Sequence, residues 1–215
     1  MKFVLYTYLL CFAFYLQAQQ AFDFLKPLPP GSDQVTGVSW TYHGTYSSGQ
    51  VDIDYQFDDA GITAISTVFQ SISRETIRES TQYSVRNGFL FGVAETDSLP
   101  CELQGEYYHF AIQFKEPIIG KGSKNILTKV NDQTYIINFE ENGRFTPSRL
   151  TFKGKQLTVE HFTYAESSSA FDAIQLKEAH PTNALNYITL DPTSGEWQAL
   201  PMAELFERQL IFQRL

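Results

Sequence analysis

Between residues 133 and 164 the chain alternates three β-forming runs with two tight-turn signals. The runs are Gln-Thr-Tyr-Ile-Ile-Asn-Phe, Phe-Thr-Pro-Ser-Arg-Leu-Thr-Phe and Gln-Leu-Thr-Val-Glu-His-Phe-Thr-Tyr. Asn142-Gly143 separates the first two, and Lys153-Gly154-Lys155 the second pair. A type I′ turn needs positive φ at both central residues, and Asn followed by Gly tolerates it best. The stretch therefore reads strand, turn, strand, turn, strand. The same unit recurs along most of the chain, and Asn87-Gly88 is a second hairpin signal.

Upstream of this stretch, residues 35–44 read as a first strand, with Val38, Trp40 and Tyr42 on one face. Val51, Ile53, Tyr55 and Phe57 alternate with Asp52, Asp54 and Gln56, the cleanest two-residue period in the sequence. Residues 62–72 form the next strand. Residues 74–85 are polar on both faces and fit a short helix, an edge strand or a strand facing a wet cavity. Pro100 to Gly105 reads as a break, 106–115 as a strand, and 117–124, with Gly120 and Gly122, as a loop. Further on, 166–170 is a serine-rich loop, and 171–178, 187–190 and 210–212 are short strands. Residues 201–209 form the best helix candidate, with Pro201 at its first position.

Ten or more short strands, tight turns and no crossover helices predict an all-β fold. The expected form is an antiparallel meander closed into a barrel or curled into a half-barrel, which manages its edges. A β-sandwich is the second choice. Eighteen Phe and twelve Tyr suit this reading, because aromatic side chains fit a pleated, half-buried surface.

The amino terminus has the marks of export. Lys2 precedes an uncharged, mostly apolar run over 3–16, too short for a comfortable membrane span, and Leu16-Gln17-Ala18 ends it with a small residue. Residues 1–18 are expected to be a signal peptide, 19–34 an extended proline-rich leader, and 35–215 a single β domain. Cys11 lacks the small preceding residue of a bacterial lipobox, since Leu10 stands there. After cleavage Cys101 is the one cysteine left, so no internal disulfide forms. The chain also has no Asn-x-Ser/Thr sequon. Together these predict an exported bacterial protein, periplasmic or secreted. A formal charge of −8 argues against nucleic acid and against anionic lipid as partners.

Catalytic signatures are weak. His43, His109, His161 and His180 form no ligand pair at helical or strand spacing, so neither a metal nor a cofactor is expected. His43 and His109 lie on the more polar faces of their strands, with Tyr107 nearby, and fit hydrogen-bonded strand histidines better than ligand contacts. Asp52 and Asp54 share a strand face at roughly 7 Å, a separation that occurs in carboxylate pairs of glycosidases. A solvated acidic face is the simpler reading. Cys101 has no base or orienting group beside it. Gly120-Lys-Gly-Ser-Lys124 lacks the spacing of a phosphate loop.

Gly37-Val-Ser-Trp40 opens the first predicted strand with one residue more than the Gly-x-Trp start of lipocalins, and Gly195-Glu-Trp197 has that spacing near the other end. In architecture the predicted fold resembles lipocalins and the open barrels that carry lipoproteins across the periplasm. The likeness covers no residue motif, and fold does not imply function.

The leading expectation is a non-enzymatic binder of a lipid or other apolar small molecule, or of a partner's segment, in a barrel cavity. Its wall would come from Trp40, Tyr42, Tyr55, Tyr108, Phe110 and Phe162. The alternatives are an envelope-polymer hydrolase using Asp52 and Asp54, and an integral outer-membrane barrel. The latter needs an uninterrupted apolar band on its strands, which short strands bearing Asp52 and Asp54 and the non-aromatic Leu215 do not favour.

Overall fold

Positive φ is where the hairpin argument is decided. Asn142 and Gly143 adopt φ of 53° and 77°, and Asn87 and Gly88 adopt 53° and 78°. Both Asn-Gly pairs thus make the turns their chemistry favours. The computed structural model describes residues 21–93, 98–162, 171, 174, 177–181 and 186–215. The expected signal peptide, the serine-rich loop over 166–170, and residues 172–173 and 175–176 of the strand expected over 171–178 lie outside them.

The strands in the amino-terminal half are β1 (Ala21–Phe24), β2 (Gln34–Val35), β3 (Gly44–Ser47), β4 (Ile53–Asp58) and β5 (Gly61–Ser73). Helix α1 (Arg74–Glu79) leads to β6 (Ser84–Arg86), β7 (Phe89–Phe91), β8 (Leu99–Gln104) and β9 (Tyr107–Ile119). Then come β10 (Ile126–Lys129), β11 (Thr134–Glu141), β12 (Arg144–Lys153) and β13 (Gln156–Phe162). The chain ends with β14 (Lys177–Pro181), β15 (Asn186–Leu190), α2 (Ser194–Ala199), α3 (Met202–Leu205) and β16 (Phe206–Arg214).

These strands make one large sheet that curls without closing. Its order is β14-β15-β1-β12-β13-β16-β3-β4-β5-β9-β8-β7-β6, with β11, β10 and β2 running on from β12. Pairing is antiparallel except between β1 and β15. The all-β meander is therefore a half-barrel.

Two cores flank this sheet. Inside the curl, Tyr46, Phe57, Tyr135, Phe152 and Phe212 are almost fully buried. Their rings meet edge to face, as Tyr46–Phe57 at 5.4 Å and Phe57–Phe152 at 5.3 Å show. Outside it, Phe22, Phe24, Leu28, Ile136, Leu205 and Phe206 form a second core. β11 is covered on both faces: Tyr135 and Ile137 join the inner core and Ile136 the outer. A strand buried on both sides has no polar face, which is why Tyr-Ile-Ile runs without alternation.

Several expected elements differ. The strand expected over 35–44 is instead β2, a 3₁₀ turn over Trp40–Tyr42 and β3. Backbone bonds from Tyr42 to Ser39 and from His43 to Trp40 close that turn, overriding local β preference. The break at 100–105 is mostly strand β8, held by Cys101 N–H donating to the Gly88 carbonyl. β9 continues through Pro117 at a register shift opposite β5, a place where a missing N–H is tolerated. The helix expected over 201–209 is confined to α3. From Phe206 onward the chain pairs with β13 along its length and becomes the central strand β16. Within the expected leader, β1 lies in the sheet and Leu28 in the outer core.

Candidate functional site

The expected cavity wall does not assemble. Trp40 sits on the 3₁₀ turn with 78% of its surface exposed. Tyr42 stacks on Phe152 at 4.3 Å, and Tyr55 meets Phe212 edge-on at 5.1 Å, so both pack against the inner core. Phe162 belongs to the outer core, 5.3 Å from Phe24. Tyr108 and Phe110 lie on the distal part of β9, opposite Ile72 and Gln70. Two-residue alternation identifies residues sharing a strand face, but a curled sheet with a core on each side spreads those faces over separate environments. The inner core is packed with aromatic rings and aliphatic side chains together.

The candidate catalytic and ligand residues are also dispersed. Asp52 is exposed just before β4, and Asp54 lies on β4 away from the inner core. His43 Nδ1 is 3.8 Å from an Asp59 carboxylate oxygen, while His109 is exposed on β9. Among the described residues no group of three or more His, Cys, Asp or Glu side chains could hold a metal.

A cleft does form on the outer face of β10 to β13, roofed by the two carboxy-terminal helices. Its volume is about 460 Å³. Its floor includes a row of directly opposed residues across three strands, Ile136 on β11, Arg149 on β12 and Glu160 on β13, and Gln209 on β16 is next in the row. Trp197, Met202 and Phe206 wall it, and Pro29 of the leader borders it.

The helix that carries Trp197 is fixed by its own sequence. Thr193 Oγ1 accepts from the Glu196 N–H at 3.3 Å, and a Glu196 carboxylate oxygen accepts from the Thr193 N–H at 2.7 Å. This reciprocal capping box satisfies two donors at the helix start. It also places Trp197, 6% exposed, against Phe24 at 6.2 Å. Thr193-Ser-Gly-Glu196 was the signal in the sequence that marks this helix.

At the floor, Arg149 Nε and Nη2 donate to the two Glu160 carboxylate oxygens at 2.6 and 2.9 Å. Gln209 Nε2 donates to Glu160 Oε1 at 3.1 Å. The guanidinium also lies 4.7 Å from the centre of the Phe206 ring, a cation–π contact. Burial alone would push the Glu160 carboxyl up. The Arg149 hydrogen bonds, the Gln209 bond and the Arg149 charge outweigh it and hold the group below the usual carboxylate range. Glu160 is therefore ionised at neutral pH, the wrong state for a general acid. The cleft presents an apolar wall over one neutralised, well-oriented ion pair.

No protein-family model, curated protein or solved structure matches this chain.

Proposed function

We propose that this protein is an exported, non-enzymatic binding protein that takes an apolar or amphipathic small molecule in the outer-face cleft. The observation that carries this reading is the Trp197–Met202–Phe206 wall standing over the Arg149–Glu160 pair. Ligand sites are concave, of roughly 300–1,000 Å³, mainly apolar and equipped with a few placed polar groups. The cleft has that size and that mixture. An acyl chain or ring system lies against the wall, and the ligand's polar end meets the exposed side of the ion pair. Export is supported by the uncharged run over residues 3–16, and the site is reached from solvent.

The test is native mass spectrometry of the protein purified from its own envelope fraction, followed by extraction of retained lipid. It is paired with a Trp fluorescence titration using palmitate and lysophosphatidylcholine. The chain has two tryptophans, and exposed Trp40 and buried Trp197 are distinguished by emission wavelength. A retained apolar molecule, and a Trp197 response abolished by Met202→Lys, are expected. A clean apo mass together with no response to either probe overturns the reading.

A further inference from the structure

Charge in the outer-face cleft is balanced and closed. Among the described residues that line it, Arg149 and Glu160 are the only charged ones, and they bind each other. On the rim, Lys129 and Asp132 flank the lining residues Val130 and Asn131 and are joined at 2.8 Å. Both cations are therefore matched by an anion in contact with them. A charged head group entering the cleft would leave water and meet no unmatched counter-charge, and burying a charge without one is costly.

What stays open is hydrogen-bonding capacity. Glu160 occupies Nε and Nη2 of Arg149, which leaves both protons of Nη1 and the second proton of Nη2. Glu160 Oε2 accepts from Arg149 Nε and keeps a second lone pair. Beside this pair runs a row of hydroxyls. Thr134, Thr151 and Thr158 stand directly opposite one another on β11, β12 and β13. They lie two residues from Ile136, Arg149 and Glu160 respectively, and so on the same face of the sheet. Thr134 and Thr151 line the cleft and are part-exposed, and the exposed amides of Asn131 and Gln198 line it too.

Taking the outer-face cleft as the ligand site, we propose that the molecule it holds is an uncharged amphiphile whose head carries neighbouring hydroxyls, as a glycerol or sugar head does. A carboxylate only accepts hydrogen bonds and an ammonium only donates them, whereas a hydroxyl does both. Two adjacent hydroxyls accept from the open edge of Arg149 while donating to Glu160 Oε2 or to a threonine oxygen. The amides and hydroxyls around the pair offer the same mixture of donors and acceptors. The ion pair thereby serves as a polar, electrically neutral anchor, and the Trp197–Met202–Phe206 wall takes the apolar chain.

Titrations of Trp197 fluorescence with amphiphiles of one chain length and different heads test this. The probes are 1-monolauroylglycerol, dodecyl maltoside, dodecanoate and dodecyltrimethylammonium, each below its micelle concentration. At least one of the two hydroxylated probes is expected to bind the wild type at least about tenfold more tightly than either charged probe. A response to the glycerol or to the maltoside probe alone identifies which head supplies the hydroxyls. Glu160→Gln frees the Arg149 charge, so it is expected to raise dodecanoate affinity at least about tenfold and to leave the glycerol probe little changed. The wild-type ranking decides alone should that variant not fold. Equal affinities for all four probes, a charged probe binding tightest, or a folded Glu160→Gln protein with unchanged dodecanoate affinity overturns the uncharged, hydroxylated ligand and leaves the cleft as a binding site. No response to any probe overturns both.

Discussion

Asn138 holds Leu28 by both of its backbone groups. Asn138 Oδ1 accepts from the Leu28 N–H at 2.7 Å, and Nδ2 donates to the Leu28 carbonyl at 2.9 Å. Thr128 Oγ1 donates to the same carbonyl. All three residues are buried. This is how a proline-rich leader, with no ladder partner at Leu28, crosses the outer core without stranding the Leu28 backbone groups.

Asn138→Leu keeps the bulk and removes both Asn138 bonds, while Thr128 still serves the Leu28 carbonyl. The buried Leu28 N–H would lose its side-chain partner, at about 1–3 kcal/mol. The expected loss is of that size, read as a lower urea midpoint at unchanged slope. Thr128→Val should cost less, because Asn138 still serves the Leu28 carbonyl.

Gly61 and Gly120 approach each other's neighbours where the β4–β5 turn meets the end of β9. Gly61 has φ of 130°, and a Cβ there would lie 2.0 Å from the Ile119 carbonyl oxygen. Gly120 has φ of 135°, and its Cβ would lie 2.5 Å from the Ala60 carbonyl oxygen. Neither obstacle is a flexible side chain. Gly61→Ala is expected to cost at least about 1–3 kcal/mol from the backbone conformation alone. The clash adds to that, so the thermal midpoint should fall further than for Gly143→Ala, whose Cβ would meet open space.

The parts of the fold that were legible are those fixed within a few residues. The Asn142-Gly143 and Asn87-Gly88 turns, and the alternation of Ile53, Tyr55 and Phe57, are local chemistry and appear where expected. The role of β16 was not legible. Phe206 to Gln209 lack strand alternation and become strand because β13 offers an open edge along them. The cleft was hidden for a similar reason. Arg149 and Glu160 lie eleven residues apart in sequence and meet only through the β12–β13 register. Trp197 had a local signal in the capping box, but nothing nearby in sequence says that its helix folds over that row.

Cys101 should be a slow thiol. It is half-buried on β8 opposite Phe110, and burial pushes its pKa up. The thiolate is the reactive form, so its fraction at neutral pH is smaller than for a free cysteine. Titration with a disulfide reagent such as Ellman's is expected to run more slowly in native protein than in urea-unfolded protein at the same pH. A native rate matching the unfolded one would show that the site does not shield the sulfur.

The Arg149–Glu160 pair sets a direction for acid stability. The folded-state pKa of Glu160 is held below its ordinary value by Arg149 and Gln209, against the opposing effect of burial. A group depressed in the folded state contributes stability above its unfolded pKa of about 4.3, and that contribution fades as pH falls through the folded value. The wild type should therefore lose stability below about pH 4. Glu160→Gln removes the titrating group and should flatten that part of the profile. It also leaves Arg149, whose side chain is only 23% exposed, without its carboxylate. Breaking one side of a buried pair costs about 3–5 kcal/mol, a figure that partial exposure reduces here. The double variant Arg149→Met with Glu160→Leu removes both charges and should recover most of the loss at pH 7, since a buried ion pair is often no more stabilising than apolar residues of similar volume. Urea unfolding of the wild type and the two variants across pH 3–7 separates these effects. A Glu160→Gln profile as steep as the wild type between pH 3 and 5 would place the acid-sensitive group elsewhere.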